Sequence, residues 1–152
     1  MPDLIEIITQ EQGEFPKVSL THLFLTCFHC AEPGCIPACP EGLLVKRVED
    51  GIVAITDPEQ CTECKLCVDA CPYDAPKMVT GGKINIVKCN MCLDRLNKSK
   101  APACVANCPT EALDVGPMEE LIAKYGELRE LEGFADYRQV KPSIVFRAMD
   151  SR

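Results

Sequence analysis

The stretch from Cys61 to Pro72, CTECKLCVDACP, decides how the rest of the chain is read. It carries C-x2-C-x2-C-x3-C-P without deviation, an iron–sulfur spacing. Three cysteines on a tight turn take three corners of a cubane. The fourth, Cys71, comes four residues later, at the expected start of a helix, and is carried toward a neighbouring cluster. Pro72 fixes that exit and needs no amide donor there.

Working outward, two further groups repeat the pattern with longer loops. Cys27 to Pro40, CFHCAEPGCIPACP, is C-x2-C-x4-C-x3-C-P. Cys89 to Pro109, CNMCLDRLNKSKAPACVANCP, is C-x2-C-x11-C-x3-C-P, and its basic, polar insert reads as a surface finger or a helical turn. A hairpin signal follows each of the first two groups: Asp50-Gly51 between β-prone runs, then Gly81-Gly82 in KMVTGGKINIV. The unit of cysteine group, Cys-Pro and hairpin is therefore an internal repeat. Leu43, Ala75 and Ala112 each lie four residues after Cys39, Cys71 and Cys108, in register for a small or apolar residue to meet a cluster face.

Twelve cysteines in 152 residues, with 5% aromatics and no Trp, point to metal or covalent cross-links as part of the stability. Disulfides need an oxidising compartment. The opening MPDLIEIITQEQGEFP lacks a basic start, a continuous apolar core, a small-residue cleavage site and a twin arginine. With no apolar run of membrane-spanning length, the expectation is a cytoplasmic protein with reduced thiols. Zinc is the competing metal, because C-x2-C pairs are common zinc ligands. Zinc sites, however, use two separated pairs, and three groups that each close on C-x3-C-P are poorly explained that way. The net charge of −7 argues against a nucleic-acid partner, which would want a basic face, though it leaves room for a local basic patch. Three loaded cubanes would take it to roughly −13.

Elsewhere, Leu4–Ile8 and Val18–Leu25 are β-like around the turn-like EQGEFPK. Gly116–Gly126 reads as a short helix, with Pro117 and Glu119/Glu120 at its start and Gly126 at its stop. The segment after it runs to a β-like end at Ser143–Arg147. His29, inside CFHC, is read as a local hydrogen-bonding or packing group, and His22 as pointing from a strand. Lys65 and Lys88 are either solvated lysines or cations that favour a reduced cluster. No nucleophile–base pair, phosphate loop or dinucleotide fingerprint is present, so no catalytic residue is expected.

CFHCAEPGCIPACPEG, EDGIVAITDPEQCTECKLCVDACPYDAPK and KCNMCLDRL…PACVANCPTEALDVGPMEEL resemble the iron–sulfur electron-transfer (beta) subunits of molybdenum and tungsten oxidoreductases of the dimethyl-sulfoxide-reductase and formate-dehydrogenase type. They also resemble small subunits of tungsten enzymes of the aldehyde-oxidoreductase and class II benzoyl-CoA reductase type. The resemblance runs from about Ile5 to Arg147. It implies an α+β, ferredoxin-like polycluster fold with short β-hairpins, short helices after each Cys-Pro and extensive ligand loops. One domain is expected over 1–152: a cysteine-free segment at 1–26, the three groups at 27–115, and a helix with a C-terminal docking tail at 116–152.

The resemblance further implies 4Fe–4S clusters with exchanged ligands. Cys27, Cys30 and Cys35 would bind one cluster with Cys71. Cys61, Cys64 and Cys67 would bind a second with Cys39. The usual family pattern has four groups, and the first of these has no counterpart among the twelve cysteines. In that pattern Cys108 serves the first group's cluster and that group serves Cys89, Cys92 and Cys104. The simplest repair lets Cys108 close its own group, giving three clusters with no thiolate left over. An acidic residue, water, a partner subunit or a three-iron cluster are the open alternatives. The three-cluster count leans toward the tungsten enzymes. The expected role is a non-catalytic relay to or from a large tungsten- or molybdenum-pterin subunit, with a further electron-carrier protein as a second partner. A free, diffusible polyferredoxin and a zinc-stabilised interaction module are the alternatives.

Overall fold

The computed structural model describes residues 2–147. The chain opens with a long antiparallel hairpin, β1 (Glu6–Glu14) and β2 (Lys17–Leu25), paired from Glu6↔Leu25 to Glu14↔Lys17. Period-2 alternation puts Ile8 and Leu23 on one face and Ile7, Val18, Leu20 and Phe24 on the other. The ladder runs further than the composition suggests. EQGE stays in the strand and the turn shrinks to Phe15-Pro16, across a cis peptide bond. Gly13 makes this possible: its φ is +93°, and a β-carbon there would fall on the Lys17 carbonyl.

Two short hairpins follow the first two cysteine groups. β3 (Leu44–Lys46) pairs with β4 (Val53–Ile55) around Asp50-Gly51, and β5 (Lys77–Met78) pairs with β6 (Ile86–Val87) around Gly81-Gly82. The three hairpins form three separate two-stranded sheets. Leu44, Val53 and Ile86 from the two short hairpins pack with Cys35 and Cys67 in one buried cluster, so the core is built directly on the ligand loops.

The helices correct an expectation. The resemblance implies short helices after each Cys-Pro, but α1 (Leu66–Asp69) and α3 (Ala103–Ala106) lie before it, holding Cys67 and Cys104. After each Cys-Pro the chain turns instead. Gly42, Asp74 and Glu111, each three residues past its cysteine, return their N–H to the carbonyls of Cys39, Cys71 and Cys108 at 3.1–3.2 Å. All three have positive φ, at 64°, 48° and 51°. A left-handed residue at that point ends a right-handed turn rather than continuing it into a helix. The remaining helices are α2 (Leu93–Leu96) in the third group's insert, α4 (Met118–Tyr125) and α5 (Tyr137–Val140). α4 lies where Gly116–Gly126 placed it and stops at Gly126, φ 91°.

The tail gives a second correction. Ser143–Arg147 pairs in no ladder. It lies along the first cysteine group instead. Ser143 N–H donates to the Phe28 carbonyl at 3.0 Å, and Ala31 and Glu32 N–H donate to the carbonyls of Lys141 and Val140. Phe134 stacks at 5.8 Å from Phe28 and 6.0 Å from Tyr73, and Phe146 meets Phe134 edge-on at 4.8 Å. Four of the eight aromatics, Phe28, Tyr73, Phe134 and Phe146, thus form one patch over the first group. Residues 148–152 of the expected tail lie outside the described residues. Among the described residues, no helix is long and apolar enough to cross a membrane.

Candidate metal centres

Two hollows hold four cysteines each. The first, about 370 Å³ to its solvent-open mouth, is lined by Cys27, Cys30, Cys35 and Cys71 together with Tyr73, Lys88 and Val140. The second, about 330 Å³, is lined by Cys39, Cys61, Cys64 and Cys67 together with Leu43 and Ile86. Each hollow takes three cysteines from one group and the last cysteine of the other. In the turns past Cys71-Pro72 and Cys108-Pro109, the amide four residues on comes round to the thiol: Ala75 N–H lies 3.4 Å from Cys71 Sγ, and Ala112 N–H lies 3.3 Å from Cys108 Sγ.

The chemistry of the hollows is that of crowded, desolvated sulfur. Burial, then Cys27 and Cys71, pushes the Cys30 thiol up to about 12. Burial, then the same two neighbours, takes Cys35 to about 11. Cys67 also rises to about 11, through burial and then Cys39, Cys61 and Cys64. Thiols placed like this release their protons only to a group that brings positive charge, which is what iron supplies. Among the described residues, no three His, Cys, Asp or Glu side chains converge on one ion-sized point. The thiols stand around a volume instead, and a cubane, held corner by corner, requires that arrangement. Two buried polar atoms near the first hollow, Tyr73 Oη and His29 Nε2, have no protein partner. The residues present therefore fit an iron–sulfur group.

Cys89, Cys92 and Cys104 form a third, more open set. Burial raises the Cys104 thiol, and its sulfur neighbours are Cys89 and Cys92. Burial likewise raises Cys89, with Cys27 of the first group as its thiol neighbour. The Ala103 N–H reaches Cys92 Sγ at 3.5 Å. Cys108 is different. Hydrogen bonds from Thr110 and the Ala112 amide lower its thiol, and no cysteine is among the largest influences on it.

Lys46 and Val140 escaped the sequence reading, whereas the sequence presents His29 as a local hydrogen-bonding or packing group and His22 as a strand residue. Lys46 Nζ donates to the carbonyls of His29 (3.2 Å), Cys30 (2.6 Å) and Gly51 (3.0 Å), pinning the first ligand loop to its hairpin. His29 is buried and accepts the Val53 N–H on Nδ1 at 3.0 Å. Burial, Lys88 and Lys46 push its imidazole down to about 3. Val140 closes the first hollow from the far end of the chain. His22 lies on β2 and meets Thr9 across the ladder at 2.9 Å.

Repeated sets of thiols around cluster-sized hollows define an iron–sulfur protein. The family model described as a 4Fe-4S dicluster domain matches residues 18–118, and this protein belongs to that family. It is similar to an anaerobic dimethyl sulfoxide reductase chain from Escherichia coli strain K12, 40% identical over 126 residues that cover 83% of this chain and 60% of the relative. It is also similar to a sulfite dehydrogenase subunit from Allochromatium vinosum, 37% identical over 118 residues (74% and 48%). A third relative, the beta subunit of perchlorate reductase from Dechloromonas aromatica, is 38% identical over 112 residues (73% and 33%). The chain thus spans about 60% or less of the length of these relatives.

Proposed function

We propose that the chain is a non-catalytic electron-transfer subunit that relays electrons to or from a large tungsten- or molybdenum-pterin catalytic subunit. The observation that carries this reading is the pair of four-cysteine hollows with exchanged last ligands, set side by side in one small core. Iron–sulfur clusters change by one electron with little rearrangement, so neighbouring centres act as a relay. The protein's part is to hold the thiols and fix the charges around them.

The ligands we assign are Cys27, Cys30, Cys35 and Cys71 for the first 4Fe–4S cluster and Cys39, Cys61, Cys64 and Cys67 for the second. Cys89, Cys92 and Cys104 take the third cluster, with Cys108 as the simplest fourth ligand. The turn at Cys108 repeats the turns past Cys39 and Cys71, so a role for Cys108 outside its own group is the alternative reading. We read the repeated unit of cysteine group, Cys-Pro turn and hairpin as a ferredoxin-like polycluster fold.

A fixed partner fits better than free diffusion. The hairpin β1–β2 exposes Ile7 (64%), Leu20 (57%) and Phe15 (93%), an apolar surface that a freely diffusing carrier does not need. Anaerobic purification tests the whole reading. Brown protein with about twelve irons per chain, travelling with a large tungsten- or molybdenum-containing subunit, is the expected result. Colourless zinc protein contradicts it, and brown protein that never associates leaves the diffusible polyferredoxin.

A further inference from the structure

We propose that Lys88 is a positioning residue that sets the potential of the cluster held by Cys27, Cys30, Cys35 and Cys71, making it the more easily reduced of the two enclosed centres. The inference rests on the cluster reading above and goes beyond it by ordering the two centres along the relay.

Lys88 is 6% exposed and lines the first hollow. Its Nζ donates to the Val53 carbonyl and, at 2.7 Å, to the Cys89 carbonyl. An ammonium has three hydrogens, so one remains without a partner among the described residues. No carboxylate pairs with it among the described residues either. A buried cation without a counter-charge is costly, and an anionic group must lie beside it. A cluster carrying four thiolates is that group, and the first hollow is where it sits.

Lys46 shows what a purely structural lysine looks like in this protein. All three of its hydrogens are taken by carbonyls. The second hollow has no equivalent of Lys88. Its only lysine, Lys65, is exposed, and it shares the lining with exposed Glu41. Reduction adds one negative charge to a cluster. A buried cation stabilises that charge strongly, whereas an exposed lysine is screened by water and salt.

The test is an anaerobic redox titration followed by electron paramagnetic resonance on the loaded protein, for wild type, Lys88→Met and Lys88→Arg. Iron and sulfide are counted in each. Wild type without iron overturns the cluster reading and this inference with it. With wild-type cluster content, Lys88→Met is expected to lower the reduction equilibrium of the first cluster at least about tenfold, about 59 mV for one electron. The second cluster should not move, and Lys88→Arg should restore most of the loss. No shift, or an equal shift of both clusters, overturns the proposal. Should Lys88→Met fail to load, the wild type still decides through 15N-labelled lysine. A nitrogen coupling on the reduced first cluster that vanishes in Lys88→Arg supports the proposal, and its absence overturns it.

Discussion

His29 and Lys88 hold the same residue by its two backbone polar groups. Val53 donates its N–H to His29 Nδ1 at 3.0 Å, and its carbonyl accepts from Lys88 Nζ. One residue of β4 therefore ties the first ligand loop to the start of the third. Val53 is itself 1% exposed, so the tie lies inside the core shared by both enclosed hollows.

The exchange of last cysteines makes a crossed prediction. Cys71→Ala should remove or convert the cluster of Cys27, Cys30 and Cys35, although its own sequence group is Cys61–Cys67. Cys39→Ala should do the same to the cluster of Cys61, Cys64 and Cys67. Iron content should fall by about one to four atoms per chain in each variant. Cluster-specific paramagnetic signals would show which centre changed, and loss of the variant's own-group cluster in either case would refute the exchange.

Cys108→Ala separates the two senses of the third set. If Cys108 closes it, the variant loses or converts only that cluster and leaves the other two spectra untouched. Unchanged iron, sulfide and spectra would remove Cys108 from the ligands of this chain.

Gly34 lines the first hollow, and a methyl group there would lie 2.9 Å from the carbonyl oxygen of Ala70, the residue before Cys71. Backbone cannot yield as a flexible side chain does. Gly34→Ala should therefore displace Cys71, destabilise the loaded protein by about 1–3 kcal/mol, and impair loading of the first cluster more than the second. Thermal unfolding of the loaded protein, with cluster counting, checks both parts. Equal loading of both clusters would count against the proposed placement of Cys71.

Asp114 is held at about 2, below its usual 3.8, first by Lys124, then by Tyr125 and the Val115 amide. Its folded value is depressed, so the clamp it makes on α4 is fully present above about pH 4. It is lost as pH falls through about 2. The pair is exposed and its worth to stability is correspondingly small. A carboxyl carbon titration by nuclear magnetic resonance should find the midpoint near 2, and Lys124→Met should return it toward 3.8. A wild-type midpoint at 3.8 would mean the clamp does not form in solution.

What the chain reveals in one dimension is what depends on short range. Ligand spacing is local, so the three cysteine sets are legible, as are the hairpins at Asp50-Gly51 and Gly81-Gly82 and the helix that ends at Gly126. The turn after each Cys-Pro reads as a helix because Asp74 and Glu111, unlike Gly42, do not advertise a left-handed backbone. The register of Leu43, Ala75 and Ala112 is visible. Leu43 and Ala75 line the two hollows as that register suggests, whereas the amide–sulfur contacts of Ala75 and Ala112 give no signal in the sequence. Phe134 and Val140 give no signal at all. They reach the first group only through long-range packing, and sparse apolar residues in a polar tail do not announce their partners. Lys46 and Lys88 each end an apolar run, LLVK and INIVK, and that position is the one hint that they point inward.

Val140 and Phe134 also give the protein a timetable. All four cysteines of the first hollow leave the ribosome well before the segment that roofs it, because domains form from the N-terminal side during synthesis. The metal-binding half is therefore complete while its cover is still being made. Val140 is the last of the first hollow's lining residues to be made.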